Sequence, residues 1–205
     1  MSKEVFEIIC SMDRRQVDLQ IVLQCAPTLA GLKISNLLIL PRELEQRARL
    51  ALGRIGLIGY RLAYDRKRVV MLVFKKELLV AYFQKKEVQT FLEAYGYGTK
   101  GFGAALVLFQ KRYQDFVEKR EDFPHEMGVF LGYPLCDVRG FIENRGDGFV
   151  LAGYWKVYEN ACATGRLFKL FDDRKDDMVC MLSKGYSLER IRREIQEAAI
   201  RHRNR

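Results

Sequence analysis

Residues 58–74 read Ile58-Gly-Tyr-Arg-Leu-Ala-Tyr64, Asp65-Arg-Lys67 and Arg68-Val-Val-Met-Leu-Val-Phe74. Ile58, Tyr60, Leu62 and Tyr64 alternate with other residues, the period of a strand that buries one face. Residues 65–67 are polar and suit a turn, and residues 69–74 form a continuous β-rich apolar run. The two halves predict a hairpin whose second strand is buried on both faces.

Upstream of the hairpin the spacing is helical. Val17, Ile21 and Val22 predict an amphipathic helix over 13–24. It is expected to stop near Cys25, because Pro27 biases Ala26 away from helical angles. Pro27 suits a first turn, so a second short helix is expected through Leu29 and Leu32, with Cys25 at the junction. Residues 37–40 read as a strand or buried connector and 42–55 as a helix. Downstream, residues 78–83 and then Val88, Phe91, Leu92 and Tyr95 return to helical spacing. Glycines between 96 and 103 break the pattern before a long helix through Leu106, Phe109, Tyr113 and Phe116. Pro124 is expected to open a short helix that Gly132 closes, and Pro134 another through Val138, Phe141 and Ile142. Residues 149–157 are the last strand candidate, and the remainder reads as helix interrupted at Gly185. The expected fold is α+β, a small antiparallel sheet of three to four strands surrounded by seven or more helices. Residues 1–184 are read as one domain, and residues 185–205 as a basic carboxy-terminal helix packed on it or extending from it.

Composition narrows the function classes. The chain has 205 residues, of which 49% are hydrophobic and 30% charged, proportions that suit a folded core rather than a disordered chain. No apolar run approaches the length of a membrane span. The segment 1–10 holds acidic residues and no leader-like apolar stretch, so a cytoplasmic location without membrane insertion is expected. Five cysteines (Cys10, Cys25, Cys136, Cys162, Cys180) are dispersed without a CxxC pair and there are two histidines, so no zinc pattern arises. The net charge of +9 invites a nucleic-acid reading, but basic residues mostly alternate with acidic ones along the chain.

Two motif-like stretches resolve into structure. Residues 96–101 fit GxGxxG, yet they follow a helix rather than a strand, and Lys100 is followed by glycine rather than Ser or Thr. A helix cap and loop is the better reading. Residues 183–191 imitate a helix-turn-helix, with no turn or recognition helix after them.

Cys25 and His125 are the candidates for chemistry. A thiol just before a helix start would gain thiolate character from the helix dipole. His125 sits at a predicted helix start beside Glu126, so Cys25, His125 and Glu126 or Asp137 could supply nucleophile, base and orienting carboxylate. Tyr133, Tyr154, Trp155 and Tyr158 could stack on a flat ligand.

Three stretches carry a family resemblance: Cys25-Ala-Pro-Thr-Leu-Ala-Gly-Leu-Lys33, Phe123-Pro-His-Glu-Met-Gly-Val-Phe-Leu-Gly-Tyr-Pro134 and Gly153-Tyr-Trp-Lys-Val-Tyr158. In this order they resemble an uncharacterised domain-of-unknown-function family common in Clostridia-like Firmicutes, over residues 25 to 171. The family brings no activity or cofactor. The Cys25, His125 and Trp155 segments belong to the family pattern, which raises interest in them as one site; Lys33, Tyr133, Trp155 and Lys156 are the ligand-binding candidates. The chain departs from the family pattern at Gln24, where His is expected, and near Asp172 and Asp173, where many relatives carry Cys.

The leading expectation is a module binding a small ligand or a protein around His125, Tyr133 and Trp155. Second is a thiol-dependent hydrolase or transferase using Cys25 and His125. Third is nucleic-acid binding through the carboxy-terminal helix.

Overall fold

The computed structural model describes residues 3–13, 15–98 and 101–203, with side chains described as far as residue 198. The chain opens with α1 (Lys3–Ser11), α2 (Val17–Leu29) and β1 (Ser35–Pro41). A 3-10 turn (Arg42–Leu44) runs into α3 (Glu45–Arg54), followed by β2 (Ile58–Tyr64) and β3 (Arg68–Phe74). Helices α4 (Lys76–Phe83), α5 (Lys86–Ala94), α6 (Gly101–Val117), α7 (Met127–Phe130) and α8 (Leu135–Glu143) come next. Two short strands, β4 (Leu151–Ala152) and β5 (Lys156–Val157), precede α9 (Ala161–Ser183) and α10 (Leu188–Arg203).

The fold is α+β, as the hairpin implied. β3 is the central strand of an antiparallel sheet ordered β1-β3-β2. Its turn is held by the Asp65 carboxylate, which accepts the backbone N–H groups of Lys67 (2.6 Å) and Arg68 (2.7 Å). The register of β2 against β3 slips between Arg61 and Ala63. This slip lets Leu62 and Ala63 both be buried, where strict alternation would bury only one.

Both edges of this sheet are closed by glutamine carboxamides. On β1, the Ile39 N–H donates to Gln24 Oε1 (2.9 Å) and the Ile39 carbonyl accepts from Gln24 Nε2 (3.1 Å). On β2, Gln110 Nε2 donates to the Arg61 carbonyl (2.9 Å) and the Tyr64 N–H donates to Gln114 Oε1 (3.3 Å). A carboxamide offers the donor and acceptor of a peptide group, so helices α2 and α6 cover backbone that would otherwise template another strand.

The two faces of β3 feed different cores. Val69, Met71 and Val73 join an aliphatic cluster with α1, α2, α3, α9 and the start of α10, where Leu188, Ile191 and Ile195 are buried. Leu72 and Phe74 join a cluster rich in rings, including Tyr82, Phe83, Phe91, Phe109 and Phe130. Phe130 stacks on Phe109 with centroids 4.0 Å apart and meets Phe83 edge-on at 5.1 Å. A third small cluster, Val157, Phe168 and Phe171, sits under Tyr154 and Trp155.

Three local expectations need correction. α2 is one helix through Pro27, so Cys25 is not at a junction but in the last turns of a continuous helix. Pro27 lies two residues before the helix end, so it forfeits a single intrahelical bond, and its own carbonyl accepts the N–H groups of Leu32 and Lys33. The short helix after Pro124 starts at Met127, with Pro124 forming the preceding turn through the Met127 N–H. Residues 149–157 are not one strand but a small hairpin, in which Leu151 pairs with Val157 and Ala152 with Lys156. The Gly153 N–H donates to the Trp155 carbonyl (3.1 Å) in the turn, and Gly153 lies so close to the Phe168 ring that a Cβ there would clash with it.

Candidate functional site

The segment 123–143 and the β4–β5 hairpin are brought together by one buried carboxylate. Asp137, in the first turn of α8, accepts Trp155 Nε1–H on Oδ2 (2.7 Å). Its Oδ1 accepts the backbone N–H groups of Tyr158 (2.8 Å) and Glu159 (3.4 Å). Trp155 is thereby fixed against Tyr133, the two rings stacked with centroids 4.9 Å apart. Phe168 meets the far side of this arrangement, edge-on to Trp155 at 4.6 Å. The Tyr133 hydroxyl donates to the Tyr154 carbonyl (3.2 Å), and the Tyr133 carbonyl accepts the Tyr82 hydroxyl (2.7 Å). Burial pushes the Tyr133 phenol up to about 12, so it stays a donor at neutral pH.

Glycines permit the close approach. Gly132 adopts φ +67° and ends α7, as the sequence suggested. Gly128 serves packing instead: a Cβ there would lie 2.7 Å from Val138 and 3.4 Å from Tyr133. Gly140 accommodates Tyr158 in the same way, at 2.5 Å.

Beside these rings lies a mostly apolar cleft of ≈ 220 Å³. His125, Tyr133, Trp155 and Lys156 all line it, together with Phe123, Met127, Val138 and Phe141. His125 is exposed and its ring sits between Phe123 (5.5 Å) and Phe141 (5.6 Å). Lys156 is half-buried; its Nζ donates to the Gly146 carbonyl (2.6 Å) and lies 4.7 Å from the Phe149 ring centroid.

The other sequence candidates sit elsewhere. Cys25 is fully buried in the aliphatic cluster and does not line the cleft. Its thiol faces the Leu37 carbonyl at 3.7 Å, and burial pushes it up to about 12, against a smaller opposing effect of Lys33. Its place near the carboxy end of α2 also reverses the dipole argument, because that end is the negative one. The activated thiolate expected from a helix start is therefore disfavoured by both position and burial.

Glu126 is buried too. It pairs with Arg112 (2.9 Å) and accepts the Tyr97 hydroxyl (2.8 Å), so it ties α7 to α6 rather than orienting a base. Burial and Glu126 together push the Tyr97 phenol up. Lys33 lies behind Tyr133, its Nζ 4.8 Å from the ring centroid and donating to the Ser35 carbonyl (2.6 Å). Burial pushes its ammonium down to about 7, with Cys25 acting in the opposite direction. It supports the wall of the cleft without lining it.

Sequence reasoning missed the apolar walls contributed by Phe123, Met127, Val138 and Phe141, and the tether role of Asp137. The i, i+4 spacing of Asp137 and Phe141 and the i, i+3 spacing of Val138 and Phe141 on α8 were the available signals. Asp172 accepts from Tyr154 (3.0 Å) and Lys175 (2.7 Å). Burial alone would raise its carboxyl, but these hydrogen bonds hold it below the usual range.

On α10, Arg190 covers the Tyr186 ring at 3.7 Å and approaches Glu194 at 4.0 Å. The side chains of residues 199–205, part of the basic stretch weighed for nucleic acid, lie outside the described residues. So do Thr99 and Lys100 of the GxGxxG-like segment. Among the described residues, no cluster of three or more His, Cys, Asp or Glu could hold a metal ion. No described helix is long and apolar enough to cross a membrane.

The chain belongs to the family described as Protein of unknown function (DUF3793), whose sequence model matches residues 21–192. The match covers all three stretches that carried the resemblance and continues through α9 into α10. No curated protein and no solved structure matches the chain.

Proposed function

We propose that this family member is a small-ligand-binding module whose site is the cleft between α7, α8 and the β4–β5 hairpin. One observation carries the reading: His125 and Tyr133 from one segment and Trp155 and Lys156 from another border a single concave apolar space. Ligand sites are typically concave and apolar with a few placed polar groups. The rings are held by polar tethers, Trp155 to Asp137 and Tyr133 to Tyr154, which keep the walls from collapsing onto one another. At ≈ 220 Å³ the space is below the ~300–1,000 Å³ of drug-sized sites, so it suits one ring or a short chain.

Trp155 is the sole tryptophan, so its fluorescence reports on the cleft directly. Titration with small neutral aromatics such as benzyl alcohol should give a saturable change in the folded protein. Phe141→Ala, which removes a half-exposed wall, and Val138→Phe, which fills the space, should each weaken it. Equal saturation in wild type and both variants, with folding verified by circular dichroism, would place binding elsewhere and refute the reading.

A further inference from the structure

The polar groups around the cleft reveal what kind of molecule it can satisfy, provided the cleft is a ligand site as proposed above. Most of them are already committed. Asp137 accepts three N–H donors, and the Tyr133 hydroxyl donates to the Tyr154 carbonyl. Two side chains retain capacity. The His125 ring meets only Phe123 and Phe141 and makes no hydrogen bond among the described residues.

Lys156 is the stronger case. Its ammonium carries three N–H donors. One is filled by the Gly146 carbonyl, and no carboxylate pairs with it among the described residues. The side chain is held in place rather than free in solvent. Its Nζ lies 5.8 Å from the Phe141 centroid and 4.7 Å from that of Phe149. A partly buried lysine whose only hydrogen-bond partner among the described residues is a neutral carbonyl favours a negatively charged acceptor.

We infer that the cleft takes a small organic acid, its apolar body against Tyr133, Phe141 and Trp155 and its carboxylate on Lys156. The spare capacity at the rim is donor capacity beside a positive charge, and the walls offer ring faces. A neutral ligand would offer Lys156 only an uncharged acceptor, the weaker partner. A cationic ligand would place like charges together. Asp137 also lines the cleft, but it is buried and its carboxylate already accepts three N–H donors, so it is a poor partner for such a cation.

The test is isothermal titration of the full chain at pH 7.5 with three molecules of one shape: phenylacetate, phenylacetamide and phenethylamine. The acid should bind about tenfold or more tighter than the amide, the range of one charge-assisted hydrogen bond. Lys156→Met should bring acid and amide to within about threefold, and Lys156→Arg should keep the preference. Acid and amide binding equally in wild type would overturn this inference while leaving the cleft a ligand site. The amine binding best would overturn it also. Saturable binding by none of the three would remove the cleft reading itself.

Discussion

The two faces of the central strand β3 have been finished with different materials. On one side Val69, Met71 and Val73 meet branched aliphatic residues of α2, α3 and α9, and the depression between α2 and α3 is bordered by Asp18, Arg47 and Arg54. On the other side Leu72 and Phe74 meet rings, and of two depressions bordering that layer the one beside Tyr133 and Trp155 is mostly apolar. Aliphatic side chains interlock and fill space from many directions. Planar rings fill space only in stacked or edge-on pairs, and a ring fixed by a hydrogen bond cannot rotate to close a gap. On the aromatic side the tethers to Asp137 and Tyr154 fix the rings that wall the apolar slot.

The contrast can be broken first by cutting large residues from each side. Phe130→Ala should cost about 3–5 kcal/mol, and Leu38→Ala about 2–5 kcal/mol, by chemical denaturation. Both residues are fully buried. Only the ring deletion should also shift Trp155 emission before unfolding begins; an equal shift from Leu38→Ala would mean that the two sides are not distinct.

A second effect, on the order of a few kcal/mol, concerns the wall behind Tyr133. Lys33 is lowered by burial to about 7 from its ordinary 10.5. Between those values the unfolded chain holds a proton that the folded chain has released, so stability should rise with pH across that window. Lys33→Met should flatten the rise and gain stability at pH 7, compared by urea denaturation at pH 7 and 9.5. An unchanged slope would show that Lys33 is not buried as neutral amine.

Smaller still is Gly128→Ala. Its new methyl group meets Val138 and should cost about 1–3 kcal/mol through overpacking. Because Gly128 lines the cleft, the same variant should weaken binding of benzyl alcohol. Undiminished stability would remove close packing as the reason for this glycine.

The fold was largely legible because its signals are local. Alternation at 58–64 places the strand although Ile58 and Tyr64 prove exposed, and the unbroken run at 69–74 and the proline and glycine at 134 and 185 specify elements by short-range sterics. Pro27 misled for an equally physical reason: a proline near a helix end costs little, so tertiary burial of α2 on both the sheet and α9 overrides it. The 149–157 hairpin was hidden because the residues that pack and bind it, Phe168 and Asp137, are distant in sequence. The cleft was half legible. Aromatic and basic residues in the family-like segments drew attention to His125, Tyr133, Trp155 and Lys156. Nothing in the spacing told that Cys25 and Lys33 face inward, or that Glu126 is claimed by Arg112 and Tyr97.

With a single tryptophan, the protein has one indole N–H resonance, and in the fold that proton is donated to Asp137 at the wall of the cleft. Following it by heteronuclear NMR during addition of phenylacetate tests the central claim most directly. The account predicts a saturable shift of that one signal, with ligand ring protons close to the Met127 methyl group. A signal that stays fixed while phenylacetate demonstrably binds would contradict it.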